Sequence, residues 1–379
     1  MKVYLDNSAT TQVDKKAARA MQDAMLKYYG NPGSMHYKGD EAKEILDKAR
    51  ETIAKSINAK PEEIIFTSGG TEANNLAIKG MTGQNTHIIT TVIEHPSVEK
   101  TCKALEKEGY TITYLPVNNE GLVTAEQVEK AITPETKLVT IMHASNEIGT
   151  IQPIKEIAEL CAKKKILFHT DAVQSFKKVP IDISKIPISA MSLSSHKIHG
   201  PKGVGALYLR KGIKINAQLH GGGHELGRRS GTENLPGIAG FAEAVKLKLD
   251  TNKIAKLRDY LIKKVMKEIP EVKLNGPKDN SKKLCNNASL SFKYIEGEGL
   301  LLHLSMNGIC VSTGSACAAR DLKVSYVLKA IGLPAEIAHG TIRFSLSAYN
   351  TKQEIDYTVN KLKIIVKDLR KMSPLGGKK

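Results

Sequence analysis

Short apolar runs alternate with longer stretches of helical period along most of this chain. Residues 63–67, 87–91, 138–142, 166–169, 191–193 and 206–209 each read as a strand. Between them, residues 71–80, 97–108 and 154–164 carry apolar positions at helical spacing. Strands that are apolar without alternation are buried on both faces, and helices between them supply the crossovers of βαβ units. The pattern therefore predicts an α/β fold with a mostly parallel sheet covered on both sides. A long helical stretch follows over about 235–267. Beyond Pro270 the rhythm changes, with strands at 288–292, 309–312 and 341–346 and helices at 297–306 and 352–371. That second pattern is of α+β type. Residues 16–250 are expected to form a large domain, and residues 1–15 together with 251–379 a smaller one. No internal repeat is visible.

Composition narrows the class. The chain has 379 residues, 41% hydrophobic and 25% charged, an ordinary profile for a soluble protein with room for a large and a small domain. No stretch reaches the ~20 apolar residues needed to span a bilayer. The start, Met1-Lys2-Val3-Tyr4-Leu5-Asp6-Asn7, lacks an apolar signal core and reads as mature protein. Five cysteines, at 102, 161, 285, 310 and 317, are scattered, odd in number and free of any Cys-x-x-Cys pair. This usage fits a reduced, cytoplasmic setting and neither a disulfide framework nor a structural zinc site. The formal charge of +17 is spread over helical segments, without a basic arm and with only 5% aromatics. A solvated lysine-rich surface is favoured over nucleic-acid binding.

Candidate chemistry lies at the ends of the predicted strands, where an α/β sheet places its ligands. Lys197, in Ser194-Ser195-His196-Lys197, follows an apolar run. Burial there disfavours the charged amine and makes it a nucleophile toward a carbonyl. Gly69-Gly70-Thr71 joins a strand to a helix, so its backbone suits an anion, although taken alone such a turn is more often a plain strand–helix turn capped by Thr71. It is not a Walker loop, because no Gly-Lys-Ser/Thr follows. Asp171 closes an apolar strand, where a carboxylate needs a cation or a capping role, and Gln174 lies one turn on. His95 also follows a strand. Cys317 sits among small residues with Arg320 and Lys323 near in sequence, a setting suited to a reactive thiol. Cys161 continues the helical stripe of Ile154, Ile157 and Ala158 and reads as core. Cys102 and Cys310 fall in a helix and a strand, with nothing to suggest reactivity.

Taken together, these residues resemble pyridoxal-phosphate enzymes of the aspartate-aminotransferase fold, and more closely the NifS/IscS-type cysteine desulfurases. The resemblance runs over essentially the whole chain. It rests on Leu5-Asp6-Asn7-Ser8-Ala9-Thr10-Thr11, Gly30-Asn31-Pro32, Gly69-Gly70-Thr71-Glu72, Glu94-His95, Asn146-Glu147-Ile148-Gly149, His169-Thr170-Asp171-Ala172-Val173-Gln174, Ser194-Ser195-His196-Lys197, Arg229-Ser230-Gly231-Thr232, Gly314-Ser315-Ala316-Cys317 and Arg343-Phe344-Ser345.

The resemblance implies a role for each position. Lys197 would carry the cofactor covalently, Asp171 would pair with its ring nitrogen, and Gln174 would bond its phenolic oxygen. His95 would stack on the ring and move protons. Gly70, Thr71, Ser194 and His196 would hold the phosphate, with Thr232 reaching in from the second subunit of a homodimer. Asn146 and Arg343 would clamp the substrate carboxylate. Cys317, on a loop of the small domain, would take sulfur from L-cysteine as a persulfide, releasing alanine and passing sulfur to an iron–sulfur scaffold protein or to tRNA thiolation. No resident metal is implied; a transient iron–sulfur contact at Cys317 is left open. Selenocysteine lyase, another lyase of this cofactor, or an inactive scaffold partner are the alternatives. Three departures from the family pattern stand out: Ala318-Ala319 after the nucleophile, Leu226, and Ser347. They bear on the loop and the partner surface rather than on the reaction.

Overall fold

Seven strands form one sheet in the order Ile64–Thr67, Gly205–Leu209, Ala190–Ser194, Leu167–Asp171, Thr136–Thr140, His87–Thr91, Thr111–Leu115. The computed structural model describes residues 1–313 and 324–373. Successive residues of each strand feed opposite cores. Ile64 and Phe66 pack into one cluster with Leu46 of helix Tyr37–Lys55, Ile157 of Ile154–Lys163 and Phe241 of Leu235–Lys246. Ile65 faces the other way, with Leu76 of helix Gly70–Gly80 and Cys102 of Pro96–Lys107. Both faces are therefore covered, which is why the central strands read as apolar without alternation.

The sheet is mostly parallel, as expected; Gly205–Leu209 is the exception and runs antiparallel to both neighbours. Only residues 195–204 separate it from Ala190–Ser194, too few for the helical crossover that a parallel pairing needs. Its first residue is tightly placed. A Cβ on Gly205 would lie 2.6 Å from the Leu193 carbonyl oxygen and 2.7 Å from the carbonyl carbon of Gly69. The glycine thus lets the Gly69–Gly70 turn seat against the sheet.

A second, antiparallel sheet runs Ser312–Thr313, Thr341–Ser345, Asn287–Phe292, Val272–Leu274. It has its own core with helices Thr251–Glu268, Gly297–Met306 and Lys352–Met372, and Val3 and Leu5 of the chain start pack into it. The single strand expected over 309–312 is two. Ile309–Cys310 pairs with Val3–Tyr4, and Ser312–Thr313 with Thr341–Ser345. The long helical stretch over 235–267 is also two, because Leu247 turns to extended backbone and Asp250 caps a new helix through the Lys253 N–H at 2.9 Å. Helices Lys15–Leu26, Tyr37–Lys55 and Ala125–Ala131 and the edge strand Thr111–Leu115 were not expected from the pattern.

Candidate active site

The parallel strands Ile64–Thr67, His87–Thr91, Thr136–Thr140, Leu167–Asp171 and Ala190–Ser194 end on the same side of the sheet. The turns beyond those ends, with the chain start and strand Thr341–Ser345, enclose a cavity of about 280 Å³. Gly70, Thr71, His95, Asn146, Asp171, Gln174, Ser194, His196, Lys197 and Arg343 all line it. Thr232 does not. It is exposed, three residues past Arg229, which pairs with Glu72 at 2.8 Å. Cys317 lies outside the described residues.

Lys197 is half-buried, and its Nζ donates to the carbonyls of Ser8 at 2.6 Å and Ala9 at 2.7 Å. These partners are neutral. Burial, then the charges of Arg343 and Lys178, bring the amine down to about 7, against weaker opposition from Asp6 and Asp171. Neutral amine is therefore abundant near pH 7. Next to it, His196 is held down to about 4 by burial and by Lys197, and its Nδ1 lies 3.1 Å from Thr10 Oγ1.

Asp171 ends its strand buried, with both oxygens fixed. Oδ1 accepts the Val173 N–H at 2.9 Å, so the turn-capping role is real, and Oδ2 accepts from Asn74 Nδ2 at 2.8 Å. The Asn74 amide also donates to Ser97 Oγ at 2.8 Å, and Ser97 Oγ lies 2.8 Å from His95 Nδ1. That nitrogen accepts the Ser97 backbone N–H at 3.2 Å. Nδ1 is thus an acceptor, and the neutral ring carries its proton on Nε2. Burial lowers the His95 pKa, with Lys197 lowering it further against Asp171, so the neutral ring prevails.

Arg343 is buried and donates to the Asn146 carbonyl at 3.1 Å and to Asp6 Oδ1 at 3.0 Å. Its Nε has no partner. Glu147 also lines the cavity. Burial raises its carboxyl to about 7, and it accepts the Ser325 hydroxyl.

Several buried polar atoms of cavity residues lack partners: Ser8 Oγ, Asn74 Oδ1, Gln174 Oε1 and Ser194 Oγ. Gln174 meanwhile donates to the Ser8 carbonyl at 2.9 Å. Buried polar atoms are nearly always satisfied, so a cluster of orphans in one cavity marks space for a polar ligand. Gly70 leaves the helix start open, because a Cβ there would meet Val173 Cγ2 at 2.7 Å. Thr71 is not the cap of that helix: Gly69 is, and Thr71 lies in its first turn. The free N–H groups there suit an anion.

Sequence reasoning missed Asn74, Ser97 and Glu147 as cavity residues and assigned no role to Asp6 or Ser8. Asn74 had a detectable mark, a polar residue between Ala73 and Leu76 on the buried face of its helix. Elsewhere, Cys102 and Cys161 are buried with thiols pushed up to about 12, Cys285 is half-buried and also raised, and Cys310 is exposed. Among the described residues no group of three or more His, Cys, Asp or Glu could hold a metal ion. No helix there is long and apolar enough to cross a membrane.

Residues 3–358 match the family model described as aminotransferase class-V. A relative from Clostridium botulinum, cysteine desulfurase IscS, is 51% identical over 382 residues, spanning 98% of this chain and 96% of its own. A solved structure described as a NifS-like protein superposes with a TM-score of 0.91 at 40% identity, covering 97% of this chain and 100% of that one. Another, described as SspA in complex with cysteine, gives 0.83 at 37% identity over 92% of this chain and 100% of that one.

Proposed function

The chain belongs to the class-V aminotransferase family, and from that premise we propose that it is a cysteine desulfurase, a sulfurtransferase that converts L-cysteine to L-alanine and a Cys317 persulfide. Members of this family use pyridoxal 5′-phosphate. The observation that carries the reading is one cavity in which a lysine titrating near neutrality meets a fixed carboxylate, an incompletely bonded arginine and orphaned polar atoms.

The residues present fit that cofactor. Ser194 Oγ, Gln174 Oε1 and the open helix start at Gly70 supply unspent bonding capacity for a phosphate and a phenolic oxygen. Thr71 and His196 would complete the phosphate site, and Asp171 would hold a protonated ring nitrogen. Lys197 would be the point of attachment. When bound, pyridoxal phosphate withdraws electrons from the carbons next to the amino group of its substrate.

The chain's own groups do the rest. Lys197, with its amine lowered to about 7, would accept and return a proton near neutral pH. His95 presents a protonated Nε2 in a neutral ring and is held by Ser97. The Ser97–Asn74 link ties the position of His95 to that of Asp171. Arg343, with Asn146 beside it, would take the substrate carboxylate in a bidentate grip. The Cys317 thiolate attacks the sulfur of L-cysteine: the S–S bond forms and the carbon–sulfur bond breaks. The electron pair left on carbon is protonated to give alanine. A soft thiolate is the nucleophile suited to sulfur. The persulfide then passes to an acceptor, an iron–sulfur scaffold protein or a tRNA-thiolation partner. The working form in this reading is a cytoplasmic homodimer, with Thr232 contributed across the interface.

The test is incubation of pure protein with L-cysteine and a reductant, measuring alanine and sulfide, with mass spectrometry after a cysteine pulse. Wild-type protein should release alanine and gain one sulfur on Cys317. Cys317→Ser should keep its cofactor and its yellow colour but form no persulfide. Full turnover by that variant would overturn the mechanism and favour a lyase without a protein persulfide.

A further inference from the structure

Lys178 is a half-buried lysine that the chemistry above leaves unused. Its Nζ donates to the carbonyl of Gln174 at 2.9 Å and to the carbonyl of Lys197 at 3.2 Å. One carbonyl belongs to the turn after strand Leu167–Asp171, the other to the turn after Ala190–Ser194. Both turns send a side chain into the same cavity, Gln174 from the first and Lys197 from the second. The local chain is built for this reach. The Lys178 and Val179 N–H groups both bond the Ser175 carbonyl at 2.8 Å, and Lys177 takes a left-handed φ of 64°.

The ammonium bonds main-chain carbonyls, which carry no charge to neutralise it. Burial lowers Lys178 to about 8, with Cys285 acting the other way, so the charged form still predominates at pH 7. The groups that feel this charge from the neighbouring elements are Lys197, His196 and His199 on one side and Cys285 on the other, and it pushes all four downward. A cation beside a buried lysine is an established way to make an amine nucleophilic.

We infer that Lys178 is a positioning residue of this site: its ammonium ties the Gln174 and Lys197 turns together through their carbonyls and keeps a positive charge beside the Lys197 amine. The inference rests on the proposed role of Lys197 as the cofactor-bearing residue. Lys178 touches no reacting atom and acts through the geometry and the protonation of its neighbour.

The test reads cofactor capture rather than turnover. Cofactor-free full-length protein is mixed with pyridoxal 5′-phosphate over a pH series, trapped with borohydride, and the label is mapped by mass spectrometry. In wild-type protein the capture rate at Lys197 should reach half its maximum at about pH 7. In Lys178→Met that midpoint should rise by about half to one pH unit, because a like charge has been removed. Lys178→Arg should keep it near the wild-type value. A merely structural lysine would slow capture or lower the melting temperature without moving the midpoint. An unmoved midpoint in folded Lys178→Met overturns the inference. If Lys178→Met does not fold, Lys178→Gln takes its place; if only Lys178→Arg folds, the role is structural and the inference falls. Should wild-type protein carry no label on Lys197, the functional reading is what fails. Competition labelling of the Lys197 amine with acetic anhydride then decides the Lys178 effect by itself.

Discussion

Replacing Lys197 with methionine in the cofactor-free protein should flatten the pH dependence of its stability. The folded amine titrates at about 7, whereas an unburied lysine titrates at 10.5. The sign follows from proton counting. Between those values the unfolded chain holds one more proton than the folded chain, so stability rises with pH across the window. Below it both forms are protonated, and the folded state carries the full cost of a charged amine among Arg343 and Lys178. One proton is worth about 1.4 kcal/mol per pH unit. From roughly pH 8 to pH 9.5, wild-type protein should therefore gain about 2 kcal/mol from this group. Lys197→Met lacks the titration. Its stability relative to wild type should fall by that same ~2 kcal/mol over the interval. Urea unfolding of both proteins at the two pH values, with linear extrapolation, measures the difference directly. Other titrating groups are common to both proteins and cancel. Loss of the two bonds to Ser8 and Ala9 adds an offset but no slope. A difference that stays constant with pH would refute the reasoning, and with it the claim that the cavity keeps this amine neutral.

Two further outcomes follow from neighbouring contacts. Asn74→Ala removes the amide that bonds both Asp171 and Ser97. A hydrogen bond to a charged group is worth about 1.5–3 kcal/mol, so alanine release should fall by roughly 10- to 100-fold while the fold persists. An unchanged turnover number would separate Asn74 from the chemistry. Lys177→Gly should stabilise the protein by about 0.5–1 kcal/mol, since glycine holds the left-handed φ without the Cβ penalty and gives back only part of that gain in chain entropy. Chemical denaturation reads it, and a loss of stability would show that the Lys177 side chain, itself lowered in pKa by burial, contributes more than its backbone costs.

The fold was legible where burial left a simple trace. Ile64-Ile65-Phe66 and Leu138-Val139 read as strands because both faces of the sheet are covered, and every residue there is apolar for a reason that periodicity registers. Direction left no such trace: Gly205–Leu209 is a short, wholly buried run like the parallel strands of the sheet and is set antiparallel by the length of its connection. The helical run over 235–267 hid a break, because Leu247 is apolar and fits either period, and only Asp250 marked the restart. In the site, side chains at strand ends were found by position. The partners of Lys197 were not, since they are the carbonyls of Ser8 and Ala9, and a main-chain acceptor looks the same at every residue. Glu147 was passed over because a glutamate in a loop reads as solvated until the fold buries it.

The charge balance of the cavity ties these observations together. Lys178, Lys197 and Arg343 gather around it, faced by the carboxylates of Asp6 and Asp171. The two nearby buried glutamates are only partly ionised at neutral pH, since burial raises Glu147 to about 7 and Glu94 to about 8. His95 and His196 are kept neutral by burial. The site has hydrogen-bonding capacity in excess of what its own residues use, at Arg343 Nε, Ser194 Oγ and Gln174 Oε1, while the lowered pKa of Lys197 comes first from burial and then from Arg343 and Lys178. A ligand that brings both a phosphate and a carboxylate would engage the Gly70 helix start, Ser194 and Arg343, all of which line the cavity. The neighbouring cations that lower the Lys197 amine would also favour an anionic ligand, which is why the Lys197→Met stability profile and the Lys178 capture profile interrogate one property from two directions.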